Sequence, residues 1–383
     1  MISRDISDKV RHLATKFPVV TLTGVRQSGK STLLKNMFPE YRYVSLEDPD
    51  FRKFASEDGR GFLYSMGDKV IIDEVQRVPD LFSYIQGRVD ATNQEGMYML
   101  SGSSNFLLME SISQSLAGRA AVLKMTPFST HELVAGNIDL SIDDYLYTGS
   151  FPRIYDKSIA AADYYPSYIE TYVERDVRML KNITNTSTFM RFIRLCAGRI
   201  GQLLNISSLA NECGISIPTA QSWLSVLESS YLIYLLKPYY RNFNKRLVKS
   251  PKLYFCDTGL ASALLGMNNS NQMAMHFMRG EIFENMVINE CIKSFYNSGK
   301  DPNIYFWRDS NNNEVDLLIE KGMSLLAIEI KSGATVNSSW KDTLIKFGTT
   351  AGIPASNMKV IYGGDTSLLH NDILFQPWRE MTF

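Results

Sequence analysis

The sequence predicts an α/β protein that is divided into more than one domain. At 383 residues the chain is longer than one hydrophobic core usually organises, and roughly two or three domains are expected. In the front part, short apolar runs alternate with helical patterns, which is typical of a parallel sheet covered by helices. A glycine-rich turn joins the first apolar run, residues 19–22, to the next helical pattern. Further back, a helix-turn-helix pattern precedes a second group of strands. The predicted domains are residues 1–140, 141–255 and 256–383.

The glycine-rich turn carries a phosphate-binding motif. Residues 24–31 read Gly-Val-Arg-Gln-Ser-Gly-Lys-Ser and fit the P-loop pattern G-x-x-x-x-G-K-[ST] between a strand and a helix. Its glycines let backbone N–H groups face phosphates, its lysine reaches the outer phosphate oxygens, and its last serine can supply a hydroxyl to Mg²⁺. ATP and Mg²⁺ are therefore the predicted ligands. The predicted binding residues are Gly24, Val25, Arg26, Gln27, Ser28, Gly29, Lys30, Ser31 and Thr32.

Two adjacent carboxylates end the third predicted strand. Residues 69–74 run from Lys through Val-Ile-Ile to Asp73 and Glu74, which has the form of a Walker B element. In this interpretation Asp73 holds Mg²⁺ together with Ser31, and Glu74 polarises the attacking water as a general base. An acidic pair that merely ends a strand is the alternative, and the preceding P-loop argues against it.

The next strand and the segment after it offer three more candidates. The strand over residues 97–102 ends in Ser103, Ser104 and Asn105, any of which could sense the γ-phosphate or the water. A serine-rich turn that caps a helix would have the same composition. Arg119 follows Gly118, where an arginine finger could reach the nucleotide of a neighbouring subunit. That role would require an oligomer, and a surface arginine after a glycine is the alternative.

Together, the P-loop, the acidic pair, the end of the fourth strand and Arg119 resemble an AAA-type ATPase. The resemblance is to prokaryotic members that carry a C-terminal restriction-nuclease-like domain, and it implies ATP hydrolysis with Mg²⁺. A second sensor arginine, which the resemblance leads one to look for, is not identified after residue 150.

Composition restricts the partners. Lys plus Arg number 40 and Asp plus Glu also number 40, which excludes a chain that is basic throughout. Residues 171–254 nevertheless contain 12 Lys or Arg against 4 Asp or Glu, a local excess of 12 − 4 = +8. This segment is where a polyanion would bind.

The cysteines and the apolar runs restrict the compartment. Cys196, Cys213, Cys256 and Cys291 are scattered, with no C-x-x-C pair, and predict neither a disulfide framework nor a zinc site. The first residues are charged, and no apolar run approaches roughly 18 residues. A soluble, cytoplasmic protein without a membrane partner is predicted.

The middle domain is predicted to be a winged helix. Residues 207–213 and 219–228 form two helical patterns around Gly214, and residues 231–236 form the wing strand. The second helix exposes Thr219, Gln221 and Ser222 but no arginine, so base-specific reading by arginine is not indicated. The basic segment 237–252 alternates with aromatic residues and suits nonspecific contacts with DNA. A packing or lid module for the ATPase is the alternative. The basic residues are Arg241, Lys245, Arg246, Lys249 and Lys252.

The last domain is predicted to contain a helix over residues 280–290 and strands over 304–308, 314–319 and 325–331. Glu329 and Lys331 alternate onto the same side of their strand. Together with the helical Glu284 and with Asp316, they resemble the PD-(D/E)xK nuclease fold. This resemblance implies that Asp316 and Glu329 coordinate Mg²⁺, that Glu284 assists, and that Lys331 positions the water or stabilises phosphodiester charge.

Three functional hypotheses follow from these patterns. The leading one is a Mg²⁺-dependent ATPase whose nucleotide state repositions DNA-binding or partner-binding rear domains. The second is an ATP-regulated, metal-dependent DNA endonuclease. The third is a nucleotide switch without catalysis that binds a protein partner. Fold resemblance alone does not choose among them.

Overall fold

The computed structural model describes residues 2–92, 94–103, 112, 114–177, 183, 185–239 and 249–383, with backbone only for residues 174–177. Several predicted site residues lie outside this description. They are Ser104, Asn105, Arg241, Lys245 and Arg246.

The front of the chain folds around a five-stranded parallel sheet with the order β2-β3-β4-β1-β5. This confirms the predicted parallel α/β sheet. Strand β5 was not predicted, although residues 120–123 are all apolar. It lies at the sheet edge, and its residues alternate between buried and half-buried positions. The strands are β1 (Val19–Gly24), β2 (Arg42–Ser45), β3 (Val70–Asp73), β4 (Tyr98–Ser101) and β5 (Ala120–Met125).

Helices cover both faces of this sheet. Alternate residues of β1 enter different cores, since Val19 belongs to one apolar cluster and Val20 and Leu22 to the other. Asp48 accepts hydrogen bonds from the backbone N–H groups at the start of α3 and thereby caps it. The helices of this region are α1 (Ser7–Ala14), α2 (Lys30–Met37), α3 (Pro49–Glu57), α4 (Gly59–Met66) and α5 (Leu81–Thr92).

The middle of the chain is mostly helical. Gly214 has φ +68° and ends α11, Ser216 caps α12, and the two helices occupy the region of the predicted helix-turn-helix. A π-helix over Ile169–Val177 extends α9. The elements are α6 (Thr130–Ala135), α7 (Ile142–Thr148), α8 (Pro152–Asp156), α9 (Ala161–Tyr168), α10 (Thr186–Ala197), α11 (Ile206–Cys213), α12 (Ile217–Ser229), β6 (Ile233–Leu236) and β7 (Lys252–Phe255).

The antiparallel pair β6 and β7 packs against the rear of the molecule. Pro238 forms a bridge with Phe306, and the Phe306 N–H donates to the carbonyl of Lys237 at 3.1 Å. At the end of β7, Asn285 exchanges hydrogen bonds with the backbone of Phe255. This hairpin is thus joined to the rear domain.

The rear of the chain contains a six-stranded mixed sheet with the order β12-β13-β11-β10-β9-β8. The long helix α15 is buried along most of its length, because it lies between this sheet and the middle of the chain. The elements are α13 (Thr258–Leu264), α14 (Ser270–Met275), α15 (Arg279–Asn297), β8 (Ile304–Arg308), β9 (Glu314–Lys321), β10 (Ser324–Lys331), α16 (Asp342–Ala351), β11 (Met358–Tyr362), β12 (Leu368–His370) and β13 (Ile373–Pro377).

The middle and rear parts share one hydrophobic core. A single apolar cluster extends from Val25 and Phe128 through the middle helices to Trp378. All four cysteines are free thiols. Among the described helices, none combines the length and the apolar character needed to cross a bilayer.

Candidate nucleotide site

A cavity of about 480 Å³ opens at the carboxyl end of the parallel sheet, beside the P-loop. Three P-loop residues are not among those that line it: Gly24, Val25 and Ser28. Most other predicted residues do line it: Arg26, Gln27, Gly29, Lys30, Ser31, Thr32 and Glu74.

Two glycines of the P-loop are required by its backbone. Gly29 has φ +94° and begins α2 from a conformation that L-residues rarely adopt. Gly24 has φ +130°, and a Cβ atom there would lie 2.1 Å from the carbonyl oxygen of Met125. Any other residue at position 24 would therefore push the loop away from β5.

Lys30 is buried and turned toward its own loop. Its Nζ donates to the carbonyl oxygens of Gly24 at 3.1 Å and Val25 at 2.8 Å. Burial lowers the Lys30 pKa to about 8, even though Glu74 and Asp73 raise it. A phosphate group would offer this ammonium stronger, charge-assisted acceptors.

Asp73 lies at the centre of a hydroxyl network. Ser31 Oγ is 2.9 Å from each carboxylate oxygen, Ser101 Oγ is 2.5 Å from Oδ1, and Tyr43 OH is 2.9 Å from Oδ2. Mg²⁺ in nucleotide sites needs only one or two protein oxygens besides water and phosphate. The Ser31 and Asp73 pair matches that requirement, so the donor set fits Mg²⁺.

Glu74 lies in the same cavity in a strained backbone conformation, with φ +53°. Gln76 Nε2 donates to its Oε2 at 2.5 Å, and Ser103 Oγ is 3.4 Å from the same oxygen. Burial is the largest cause of a raised pKa for this carboxylate, which Lys30 opposes. A carboxylate with a raised pKa is a stronger proton acceptor, as a general base requires.

The structure adds cavity residues that the sequence did not single out. Arg153 and Lys157, on α8 and just after it, line the same cavity as the P-loop residues. Arg153 is an arginine after residue 150 at the nucleotide site, the position in which a second sensor was sought. The sequence offered little indication of this role, because a proline followed by an arginine is common at the start of any helix.

Arg119 is not among the residues that line this cavity. Its guanidinium contacts both carboxylate oxygens of Asp90, at 2.5 and 2.9 Å. Its action on a neighbouring subunit stays a prediction.

A second cavity, of about 310 Å³, adjoins the first. The two share Gly29, Thr32, Pro152 and Asp156, and residues of the N-terminal segment line the second one. Arg4 holds this segment in place, donating to the Ser28 carbonyl at 2.8 Å and to Glu132 at 3.0 Å. The N-terminal segment thus supports the P-loop through the hydrogen bond from Arg4 to the Ser28 carbonyl.

The rear-domain candidates also come together. Lys331 Nζ lies 2.6 Å from Glu329 Oε1 and 4.0 Å from Asp316 Oδ2. Glu284 Oε1 is 3.0 Å from Lys252 Nζ, which also contacts Glu314 at 2.5 Å. We call Glu284, Glu314, Asp316 and Glu329 the rear carboxylate cluster.

Lys252 and Glu314 were not predicted to join this cluster. Lys252 was assigned to a DNA-binding basic segment, and that assignment is wrong for this residue because its side chain is 2% exposed inside the protein. Burial raises the pKa of Glu284 and of Glu329. In the part of the chain that is described, no three His, Cys, Asp or Glu side chains are grouped so as to hold a metal ion.

The affinity for ATP is expected to decrease above about pH 8. Lys30 in the ligand-free protein has a pKa of about 8, whereas phosphate would hold it protonated. Binding should therefore be constant below this pH and weaken above it by up to about tenfold per pH unit. Titration with a fluorescent ATP analogue between about pH 7 and about pH 9.5 measures this change. Lys30→Arg is the control, since arginine stays charged and should flatten the profile. A flat profile in the unmodified protein would contradict the prediction.

Comparisons with known protein families agree with the P-loop and the parallel sheet at the front of the chain. Residues 16–134 match the family model of an AAA domain. Residues 139–271 match a domain of unknown function (DUF8612), and residues 279–381 match another (DUF4143). The AAA match, together with the parallel sheet and the P-loop, supports an AAA-type ATPase family for the front of the chain.

Relatives and solved structures extend over more of the chain. An uncharacterized protein of Mycobacterium tuberculosis is 28% identical over 369 residues, covering 94% of this chain and 80% of the relative. An uncharacterized protein of Haemophilus influenzae is 24% identical, covering 90% of each chain. The Walker-type ATPase of Pyrococcus abyssi is similar in structure, with a TM-score of 0.46 and 15% identity, over 69% of this chain and 96% of that one.

Proposed function

We propose that this protein is a Mg²⁺-dependent ATPase whose nucleotide state repositions its middle and rear domains. The observation that carries the proposal is the contact of Ser31 Oγ with Asp73, at 2.9 Å, at the wall of the cavity that Ser31, Lys30 and Glu74 line. Hydroxyl, carboxylate, ammonium and general base are the groups that phosphoryl transfer to water needs, and they meet here.

Each residue then has a defined task. Backbone N–H groups of the P-loop and the Lys30 ammonium bind the phosphates, while Ser31 and Asp73 would hold Mg²⁺, which neutralises charge on the phosphate oxygens. Glu74 accepts the proton of the attacking water, and Gln76 and Ser103 orient its carboxylate. Arg153 and Lys157 add positive charge to the lining of the cavity.

The second cavity is proposed to take the nucleoside. It adjoins the P-loop and is lined by apolar side chains of Leu33, Met37 and Met125, which suit a flat aromatic base. ATP would then extend from this second cavity to Glu74 in the first. Arg4 would hold the N-terminal segment, which lines the second cavity, against the P-loop.

Contacts from the P-loop to the middle helices support the proposed repositioning. Tyr164 OH donates to Gln27 Oε1 at 2.9 Å, and the Arg26 guanidinium lies 5.2 Å from the centre of the Tyr172 ring. A phosphate that draws Arg26 or Gln27 toward itself would weaken these contacts. The helix from α9 into the π-helix would respond first.

A buried ion pair carries a second contact to the rear domain. Lys293 on α15 contacts Glu290 at 2.7 Å and donates to the Phe128 carbonyl at 2.7 Å. Glu290 accepts the Thr130 N–H at 2.8 Å. Strand β5 ends at Met125, whose carbonyl accepts the N–H of Val25 in the P-loop. A shift of that loop would therefore move residues 125–130 and, through Lys293 and Glu290, helix α15.

We infer that the middle is a winged helix used mainly for packing. The order α10, α11, α12, β6, β7 supports a winged helix, and its hairpin is joined to the rear sheet. Lys237 and Lys249 of the basic segment are exposed, so contact with DNA phosphates stays open to test. The packing alternative is favoured because Lys252 is buried.

The proposal is tested by phosphate release from ATP with Mg²⁺ and with an excess of EDTA. Turnover with Mg²⁺ that is lost in EDTA is expected, because without the ion the negative phosphates would face the Asp73 carboxylate with no cation between them. Tight ATP binding with no turnover would favour the noncatalytic switch. In the same preparation, metal-dependent cleavage of plasmid DNA would favour the endonuclease.

A further inference from the structure

Lys252 lies inside the rear carboxylate cluster although it belongs to strand β7 of the middle domain. Its Nζ contacts Glu284 Oε1 at 3.0 Å and Glu314 Oε1 at 2.5 Å, and its side chain is only 2% exposed. A buried ammonium must be paired with acceptors, and here two carboxylates contact it.

A second side chain of β7 contacts the same cluster. The hydroxyl of Tyr254 donates to Glu284 Oε1 at 2.5 Å, so this oxygen receives a tyrosine hydroxyl and a lysine ammonium together. Glu284 was predicted to assist metal binding. Its Oε1 instead accepts hydrogen bonds from Lys252 and Tyr254 of β7.

A second lysine holds the other half of the cluster. Lys331 lies between Glu329 and Asp316, and the Ile330 N–H donates to Asp316 Oδ2 at 2.8 Å. Glu329 Oε2 is buried without a hydrogen-bond partner among the described residues. That oxygen is where a small ligand would bind if one entered.

These contacts decide whether the residues fit Mg²⁺. Magnesium requires near-octahedral coordination by oxygens, and without ATP phosphates most of the negative charge would come from the carboxylates themselves. The Lys252 and Lys331 ammonium groups and the Arg308 guanidinium already contact these carboxylates. A divalent ion placed among the three cations would be repelled at short range. The cluster as folded does not fit a divalent ion.

We propose that the Lys252 ammonium is the resident cation of the rear carboxylate cluster and excludes divalent metal while β7 stays packed on the rear domain. Lys252 and Tyr254 thereby join the middle domain to the rear domain. In this arrangement the carboxylates of the rear cluster bind side chains of β7 in place of a metal ion. Metal would enter only when the lysine leaves.

Binding of Mn²⁺ to the full-length chain tests the proposal, measured by loss of the free-ion paramagnetic resonance signal. All proteins carry Asp73→Asn so that the nucleotide site does not contribute. Adding Lys252→Ala should create about one new Mn²⁺ site, and a further Glu329→Gln should remove it. Lys249→Ala, which removes an exposed lysine from the same segment, should create none.

The outcomes separate clearly. Mn²⁺ binding in the Lys252-containing protein that disappears with Glu329→Gln would overturn the proposal, as would a folded Lys252→Ala variant without a new site. If Lys252→Ala does not fold, the Glu329→Gln comparison in the Lys252-containing protein decides alone: unchanged Mn²⁺ binding supports the proposal. None of these results depends on ATP hydrolysis.

Discussion

Replacing Glu74 with glutamine is expected to lower ATP turnover by about 10²–10⁴-fold while ATP binding is retained. Glutamine keeps the shape of the side chain and can still hydrogen-bond to Gln76, but it cannot accept the proton of the attacking water. Phosphate release measures turnover, and binding of a fluorescent ATP analogue measures affinity. The substitution acts on the chemical step and leaves the P-loop contacts in place.

Glu57→Gln is the matched control for this variant. Glu57 is an exposed carboxylate on α3, paired only loosely with Lys53 at 3.9 Å, and its replacement should leave turnover unchanged. Turnover of Glu74→Gln within about threefold of the unmodified protein would show that Glu74 is not the base. A matching loss of ATP affinity would instead place Glu74 in substrate binding.

Lys30→Ala is expected to abolish turnover and to weaken ATP binding by about 10–100-fold. A hydrogen bond to a charged group contributes about 1.5–3 kcal/mol, which corresponds to that range of affinity. The buried ammonium is also the group through which the P-loop reaches the outer phosphates, so the transition state loses more than the ground state. Equilibrium binding and phosphate release on the same protein separate the two effects.

Lys35→Ala is the control from the same helix. Lys35 is exposed on α2, with its ammonium 3.4 Å from the centre of the Tyr43 ring, and it is not among the residues that line the nucleotide cavity. Its loss should leave binding and turnover unchanged. Thermal unfolding of both variants shows whether either substitution disturbs the fold. Normal turnover in a folded Lys30→Ala protein would remove the P-loop assignment.

The two predictions rest on parts of the sequence that were informative for a local reason. The P-loop lies within one strand, one turn and one helix start, so eight consecutive residues specify its geometry and its ligand. Asp73 and Glu74 end a strand of a parallel sheet, and the carboxyl ends of such strands meet at one edge. Neither inference needed knowledge of a distant contact.

Other parts of the site depend on contacts between distant segments. Arg153 lines the same cavity as the P-loop although it lies more than 100 residues further along the chain, and nothing in its sequence neighbours indicates this. Arg4 supports Ser28 from 24 residues away. Strand β5 was not predicted although residues 120–123 are all apolar, and its place at the sheet edge is set by pairing with β1, a contact between distant segments.

The sequence by itself determined the parallel sheet, the nucleotide-binding turn and the acidic pair, because each is encoded by local pattern and spacing. It also identified Glu284, Asp316, Glu329 and Lys331 as a set. Only the tertiary structure decided what that set contacts, since the Lys252 ammonium comes from strand β7, 32 residues before Glu284, and the spacing within the set does not reveal it. Local motifs specify which groups are present, whereas long-range packing specifies which charges neutralise them.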